Sequence, residues 1–140
     1  EAMGKYEQAL RITMRALGPD HMSVARTLNN MAVVLKKQER LEEAMGKYEE
    51  ALRIKTRALG PDHMSVADTL NNMAGVLENQ GRQEEAMGKY EEALRIQIAT
   101  LGKDHPSTAG TRCNLGHLYL AQSRIMKKWE KSYAVLFLIQ

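Results

Sequence analysis

The chain repeats itself every 42 residues, and a period of that length admits few folds. EAMGKYE begins at Glu1, Glu43 and Glu85. Units 1–42 and 43–84 differ only at positions 8, 13, 14, 26, 33, 36, 37, 39 and 41. The third unit keeps EAMGKYEEALRI and then drifts. Beyond about Arg124 the run KKWEKSYAVLFLIQ replaces the expected fourth copy. Periods of about 20–50 residues mark arrays in which each unit buries its apolar face against its neighbours.

Each unit reads as two helices. Across 42–59, Ala44, Met45, Tyr48, Ala51, Leu52, Ala58 and Leu59 recur at three- and four-residue steps, one apolar face with Glu49, Glu50 and Arg53 outward. Gly60-Pro61 stops that helix. A second runs from about Ser65 to Gln80, with Val66, Ala67, Leu70, Met73, Ala74 and Leu77 on one side. Pro106 suits a first helical turn and sets the corresponding start in the third unit. No stretch alternates as a strand does, so the expected class is all-α. Seven helices are expected: a lone one at 1–17, pairs at 23–58 and 65–100, one at 106–122 and a divergent last one at about 124–138. The expected division is a single array, 1–140, with a lone second-type helix at 1–17 and repeats at 18–59, 60–101 and 102–140. A start on a half-unit reads as a piece cut from a longer array, or one numbered from a convenient point within it, and no secretory leader is expected.

Composition narrows the partners. Twenty basic against seventeen acidic side chains give a net charge of +3, too small and too mixed for a nucleic-acid or membrane surface. Aromatics are 5% of residues, few for stacking on bases. One cysteine, Cys113, excludes an internal disulfide and fits a reducing compartment, so a cytoplasmic location is expected.

Leu28-Asn29-Asn30-Met31-Ala32, followed by Ala44, Tyr48 and Ala51, resembles the tetratricopeptide repeat. In that family small residues let paired helices approach and an aromatic plugs the gap. The set recurs as Met73, Ala74, Ala86, Tyr90 and Ala93. LGPDHMSVA…TLNNMA on a 42-residue period is similar to the kinesin light chain subtype, and nephrocystin-type arrays share that period. The resemblance covers about 1–122 and implies a right-handed α-solenoid of stacked antiparallel helix pairs that binds proteins. In the closing segment Lys128, Ser132 and Val135 stand where Ala, Tyr and Ala are expected, so it is a modified cap or not a true repeat.

Candidate chemistry is sparse. His21, His63 and His105 each follow an aspartate, but ligands on neighbouring helix pairs about 10 Å apart cannot converge on one ion; helix capping is the expected role. His117 lies one turn from Cys113 without an orienting third group. No catalytic residue, metal or cofactor is expected. Gly4, Gly46 and Gly88 sit inside helices, where close helix approach is the expected reason and tolerance the alternative. The apolar run 134–139 falls short of the roughly 20 residues that span a membrane.

The asparagines point to a binding face. With Leu28 at the centre of the buried face, Arg26, Asn30, Val33 and Lys37 fall about 140–200° around the helix at 100° per residue. The equivalent stripes are Asp68, Asn72, Gly75 and Asn79, then Gly110, Asn114, His117 and Ala121. In tetratricopeptide arrays this face lines the inner groove. Asn30, Asn72 and Asn114 would each offer a donor and an acceptor to an extended peptide. Of the first-helix differences between units, 26, 33 and 37 lie on this stripe and 36 flanks it, which fits either ligand reading or free drift of unburied positions. The expected function is therefore an adaptor whose groove holds a partner's peptide of mixed charge, selected by Arg26, Lys37, Asp68 and Glu78. The alternative is a spacer or self-associating scaffold, stacking end to end or through residues 129–139.

Overall fold

The computed structural model describes the backbone of residues 1–138 and the side chains of residues 1–131. It is all-helical: α1 (Ala2–Leu17), α2 (Met22–Lys37), α3 (Leu41–Leu59), α4 (Met64–Asn79), α5 (Gln83–Leu101) and α6 (Pro106–Leu138). Each helix packs on the one before it in the chain, and the closest pairs are α2 with α3 and α4 with α5. The result is an α-solenoid of stacked helix pairs.

Local chemistry sets the helix ends. The reversals into α2, α4 and α6 begin at Gly18, Gly60 and Gly102, whose φ of 87–89° costs least without a Cβ. Histidine then caps the helix start: Nδ1 of His21, His63 and His105 accepts the backbone N–H of Ser23, Ser65 and Ser107 at 3.1, 3.0 and 3.2 Å. That satisfies one of the four donors a helix start leaves open. The tighter reversal within a pair needs a left-handed residue, and position 81 supplies glycine (φ 75°) where position 39 makes a glutamate adopt it (φ 59°).

Small side chains bring the helices together. Ala32, Ala44, Ala51, Ala74, Ala86 and Ala93 are completely buried, and Tyr48, at 1% exposure, packs in one cluster with Ala32, Ala44, Ala74 and Ala86. Tyr48 and Tyr90 belong to one continuous cluster that runs from Ala32 to Leu118. In α1, which has no such partner on its other side among the described residues, no side chain is buried.

Two expectations are corrected. Seven helices were expected and the described residues form six, because α6 continues without a break through the predicted turn at 122–124. Ser123 occupies the position of Glu39 and Gly81, and the small–aromatic–small seam that would repay a reversal is missing from the sequence beyond it. A helix that keeps its backbone hydrogen bonds then has nothing to gain by turning back. The second correction concerns Gly4, Gly46 and Gly88: a Cβ at any of them would meet no atom within 4 Å. They are tolerated, not close contacts.

Candidate functional site

Three cavities run along the first-type helices α2, α4 and α6. Met22, Ser23, Arg26, Asn29, Lys55 and Ser65 line the first, of about 280 Å³. The second, of about 570 Å³, lies between α4 and α6 and is lined by Lys36, Asp68, Asn71, Asn72, Gly75, Tyr90, Gln97, Ser107, Gly110, Thr111 and Asn114. Val33, Lys36, Lys37, Tyr48, Asn72 and Asn79 surround the third, of about 410 Å³. Asn72 and Lys36 line both of the latter two, so the second and third cavities meet at these residues.

Eight of the ten residues expected at a site line these cavities: Arg26 the first, Asp68, Gly75 and Asn114 the second, Val33, Lys37 and Asn79 the third, and Asn72 two of them. Asn30 and His117 are exposed on α2 and α6 and line none of the three. Helix geometry accounts for the grouping, since positions 68, 72, 75 and 79 return to one face at 100° per residue.

The two asparagines of α4 do different work. Asn71 Nδ2 donates to Thr111 Oγ1 at 3.0 Å and so ties α4 to α6. Asn72, half-buried, faces the cavities. Asn114 is partly committed, because its amide leans on the Tyr90 hydroxyl. That hydroxyl donates to Glu78 Oε1 at 2.5 Å. Burial first, and the Glu78 carboxylate second, push the Tyr90 pKa well above that of free tyrosine. Glu78, expected to select ligand side chains, is thus already engaged by the protein's own tyrosine.

Periodicity alone passed over Lys55 and Gln97 and left Lys36 on the flank of the stripe. Lys55 is 8% exposed, and its Nζ donates to Thr69 Oγ1 at 2.8 Å and to the Ser65 carbonyl at 3.5 Å. Burial lowers its pKa, opposed in part by Asp68. Gln97, the equivalent residue one repeat on, is 1% exposed, and its Oε1 has no hydrogen-bond partner among the described residues. The available signal was the series Thr13, Lys55, Gln97, a drift in polarity on the second-type helices. Lys36 reaches across Gly75, its Nζ 2.9 Å from where a Cβ would stand. Valine occupies the equivalent position 33, so the glycine makes room for the lysine.

Exposed ion pairs recur within each helix pair, Arg53 with Asp20 and Arg95 with Asp62, each at 2.9 Å. Being well exposed, they add little to stability. Among the described residues no group of three or more His, Cys, Asp or Glu is placed to hold a metal ion, and no helix is long and apolar enough to cross a membrane. Cys113 is exposed and free, and neither it nor His117 lines any of the three cavities above.

A sequence profile of the tetratricopeptide repeat matches residues 1–57, 23–99 and 65–125. No curated protein matches this chain by sequence. Among solved structures, BtubC (BKLC) from P. vanneervenii is 30% identical and superposes with a TM-score of 0.81 over 90% of this chain and 50% of that one. A putative kinesin light chain from Podosopora anserina, with nearly identical TPR-like repeats, is 24% identical with a TM-score of 0.79 over 91% of this chain and 60% of that one. This chain therefore spans about half to three fifths of the length of these structures.

Proposed function

Because the chain belongs to the tetratricopeptide repeat family, a family of protein-interaction scaffolds, and is of the kinesin light chain-like subtype, we propose that it binds an extended peptide segment of a partner protein along α2, α4 and α6. The observation that carries this reading is the run of cavities along the first-type helices, the second and third of which share Asn72. An amide there can donate to and accept from a peptide backbone at once. Three first-type helices at about 10 Å spacing span roughly 20 Å, room for about six extended residues at about 3.3 Å each. The module acts without catalysis, in the cytoplasm, as an adaptor of the cargo-recognising kind.

The test is a peptide array read with wild type and Asn72→Ala side by side. Lost hydrogen bonds of this kind are worth about 0.5–1.5 kcal/mol each, so affinity falls several-fold to about a hundredfold. The melting temperature holds, because the core centred on Leu70 and Met73 is untouched. Captured peptides that map to the outer helices and ignore Asn72 would defeat the groove reading.

A second reading, self-association, is favoured by Ile125, Met126 and Trp129, which are 50–59% exposed on α6. The rest of the proposed surface, from residue 132 on, lies outside the residues whose side chains are described. Sedimentation of a single monomeric species up to high concentration would dismiss it.

A further inference from the structure

Two of the cavities are one design repeated 42 residues apart. Arg26, Asn29, Lys55 and Ser65 line the first, and their equivalents Asp68, Asn71, Gln97 and Ser107 line the second. The asparagine and the serine are kept. The other two positions change together, each from a cation to an anion or an acceptor. Arg26 and Asp68 are both exposed at the rim, and Lys55 and Gln97 are both buried beneath it.

The buried pair shows what each cavity lacks. Thr69 accepts from Lys55, which leaves an ammonium group beneath the first cavity. One repeat on, Thr111 accepts from Asn71 instead, and the buried oxygen of Gln97 is left with no donor. A buried acceptor without a donor is costly, and a ligand that supplies the donor recovers that cost. Lys36 also lines the second cavity, but it lies against Gly75. Seven residues separate Gly75 from Asp68, about 10 Å along the helix, so Lys36 stands off the Asp68 end; the other cation that Asp68 acts on is Lys55, which belongs to the first cavity and is held there by Thr69.

Resting on the peptide-groove reading, we propose that these cavities are paired subsites of opposite sign. The first takes a carboxylate of the bound chain. The second takes a lysine or arginine side chain of the same chain, whose N–H groups meet the Gln97 oxygen and the Asp68 carboxylate. One repeat is on the order of 10 Å. That equals about three residues of polyproline II chain, in which side chains three apart share a face at about 3.1 Å per residue. The preferred ligand thus carries an acidic and a basic residue three positions apart, in one order only.

The probe is an array of alanine–serine–proline decapeptides carrying one glutamate and one lysine at spacings of one to five, in both orders. Glu/Glu, Lys/Lys and neutral controls accompany them, and hits are titrated by fluorescence anisotropy at low salt. Wild type binds one order at spacing three about tenfold tighter than the reverse or the like-charged pairs, as complementary charge patterns discriminate. Arg26→Asp with Lys55→Gln moves the preference to Lys/Lys, and Asp68→Arg with Gln97→Lys moves it to Glu/Glu. Each substitution installs a residue already accommodated at the equivalent position, and circular dichroism checks the fold. Arg26→Asp and Asp68→Arg alone, both at exposed sites, give the same shifts in smaller measure if a double variant does not fold. Peptides that bind through Asn72 with a charge preference indifferent to these exchanges would overturn the subsites and leave the groove standing. Failure of every array peptide to bind would overturn both.

Discussion

Tyr6, Tyr48 and Tyr90 are one residue in three settings, and truncating each measures what stacking contributes. Tyr48 is 1% exposed among fully buried alanines of two helix pairs. Replacing it with alanine opens a ring-sized cavity in a region that cannot collapse without moving α2 against α3, a cost of about 3–5 kcal/mol. Tyr90→Ala loses the same packing and also the hydrogen bond to Glu78. Glu78 is exposed, so water takes over as its donor and the added loss is about 0.5–1.5 kcal/mol. Tyr6 on α1 is only half-buried, so its truncation costs about half the Tyr48 figure. Tyrosine-to-phenylalanine changes separate ring from hydroxyl: Tyr90→Phe loses the hydrogen bond alone, and Tyr48→Phe is near neutral, since Tyr48 lines the third cavity, where water can serve its hydroxyl, and makes no side-chain hydrogen bond to another described residue. The assay is urea unfolding followed by circular dichroism, with global fits that allow repeats to unfold separately. Equal losses for Tyr6→Ala and Tyr48→Ala would refute the claim that interlocking of successive units, and not the residue itself, sets its worth.

Gly46→Ala and Gly88→Ala each stabilise by about 0.8–1 kcal/mol, the helix propensity gained in open space; loss of stability in the same unfolding assay would contradict it. Glu39→Gly relieves a left-handed glutamate and raises the unfolding midpoint by up to about 1 kcal/mol equivalent, the left-handed penalty less the entropy of glycine. Alkaline titration has a predicted sign. The Tyr48 and Tyr90 pKa values are raised in the folded state, so above about pH 10 the unfolded chain loses protons first and stability falls. Lys55 acts oppositely below about pH 10.4: its lowered folded pKa makes stability rise with pH through the window beneath the unfolded value. Lys55→Gln removes that rise, and a denaturation series from pH 8 to 11 reads both limbs.

Much of the fold was legible because helix formation and stacking are local and periodic. Gly60-Pro61 ends a helix wherever it occurs, a stripe at three- and four-residue steps buries one face, and Tyr48 between Ala44 and Ala51 marks where two helices meet. The histidine caps were legible for the same reason, since Nδ1 of His63 serves a backbone group only two residues away. The stripe containing Asp68, Asn72, Gly75 and Asn79 followed from the angle per residue alone.

The fate of Ser123 was not legible, because Glu39 shows that a side chain at that position can still make the turn. Whether the helix reverses depends on what waits to receive it. Nor did the pattern disclose that Lys36 fills the space left by Gly75, that Asn71 is spent on Thr111, or that Gln97 is buried with an unanswered oxygen. Those facts belong to side chains tens of residues apart that meet only when successive units stack. Repetition in sequence determined the helices and their stacking order. Tertiary contact decided which polar groups are used up within the stack and which remain open to another molecule, because hydrogen-bond satisfaction is settled by neighbours in space.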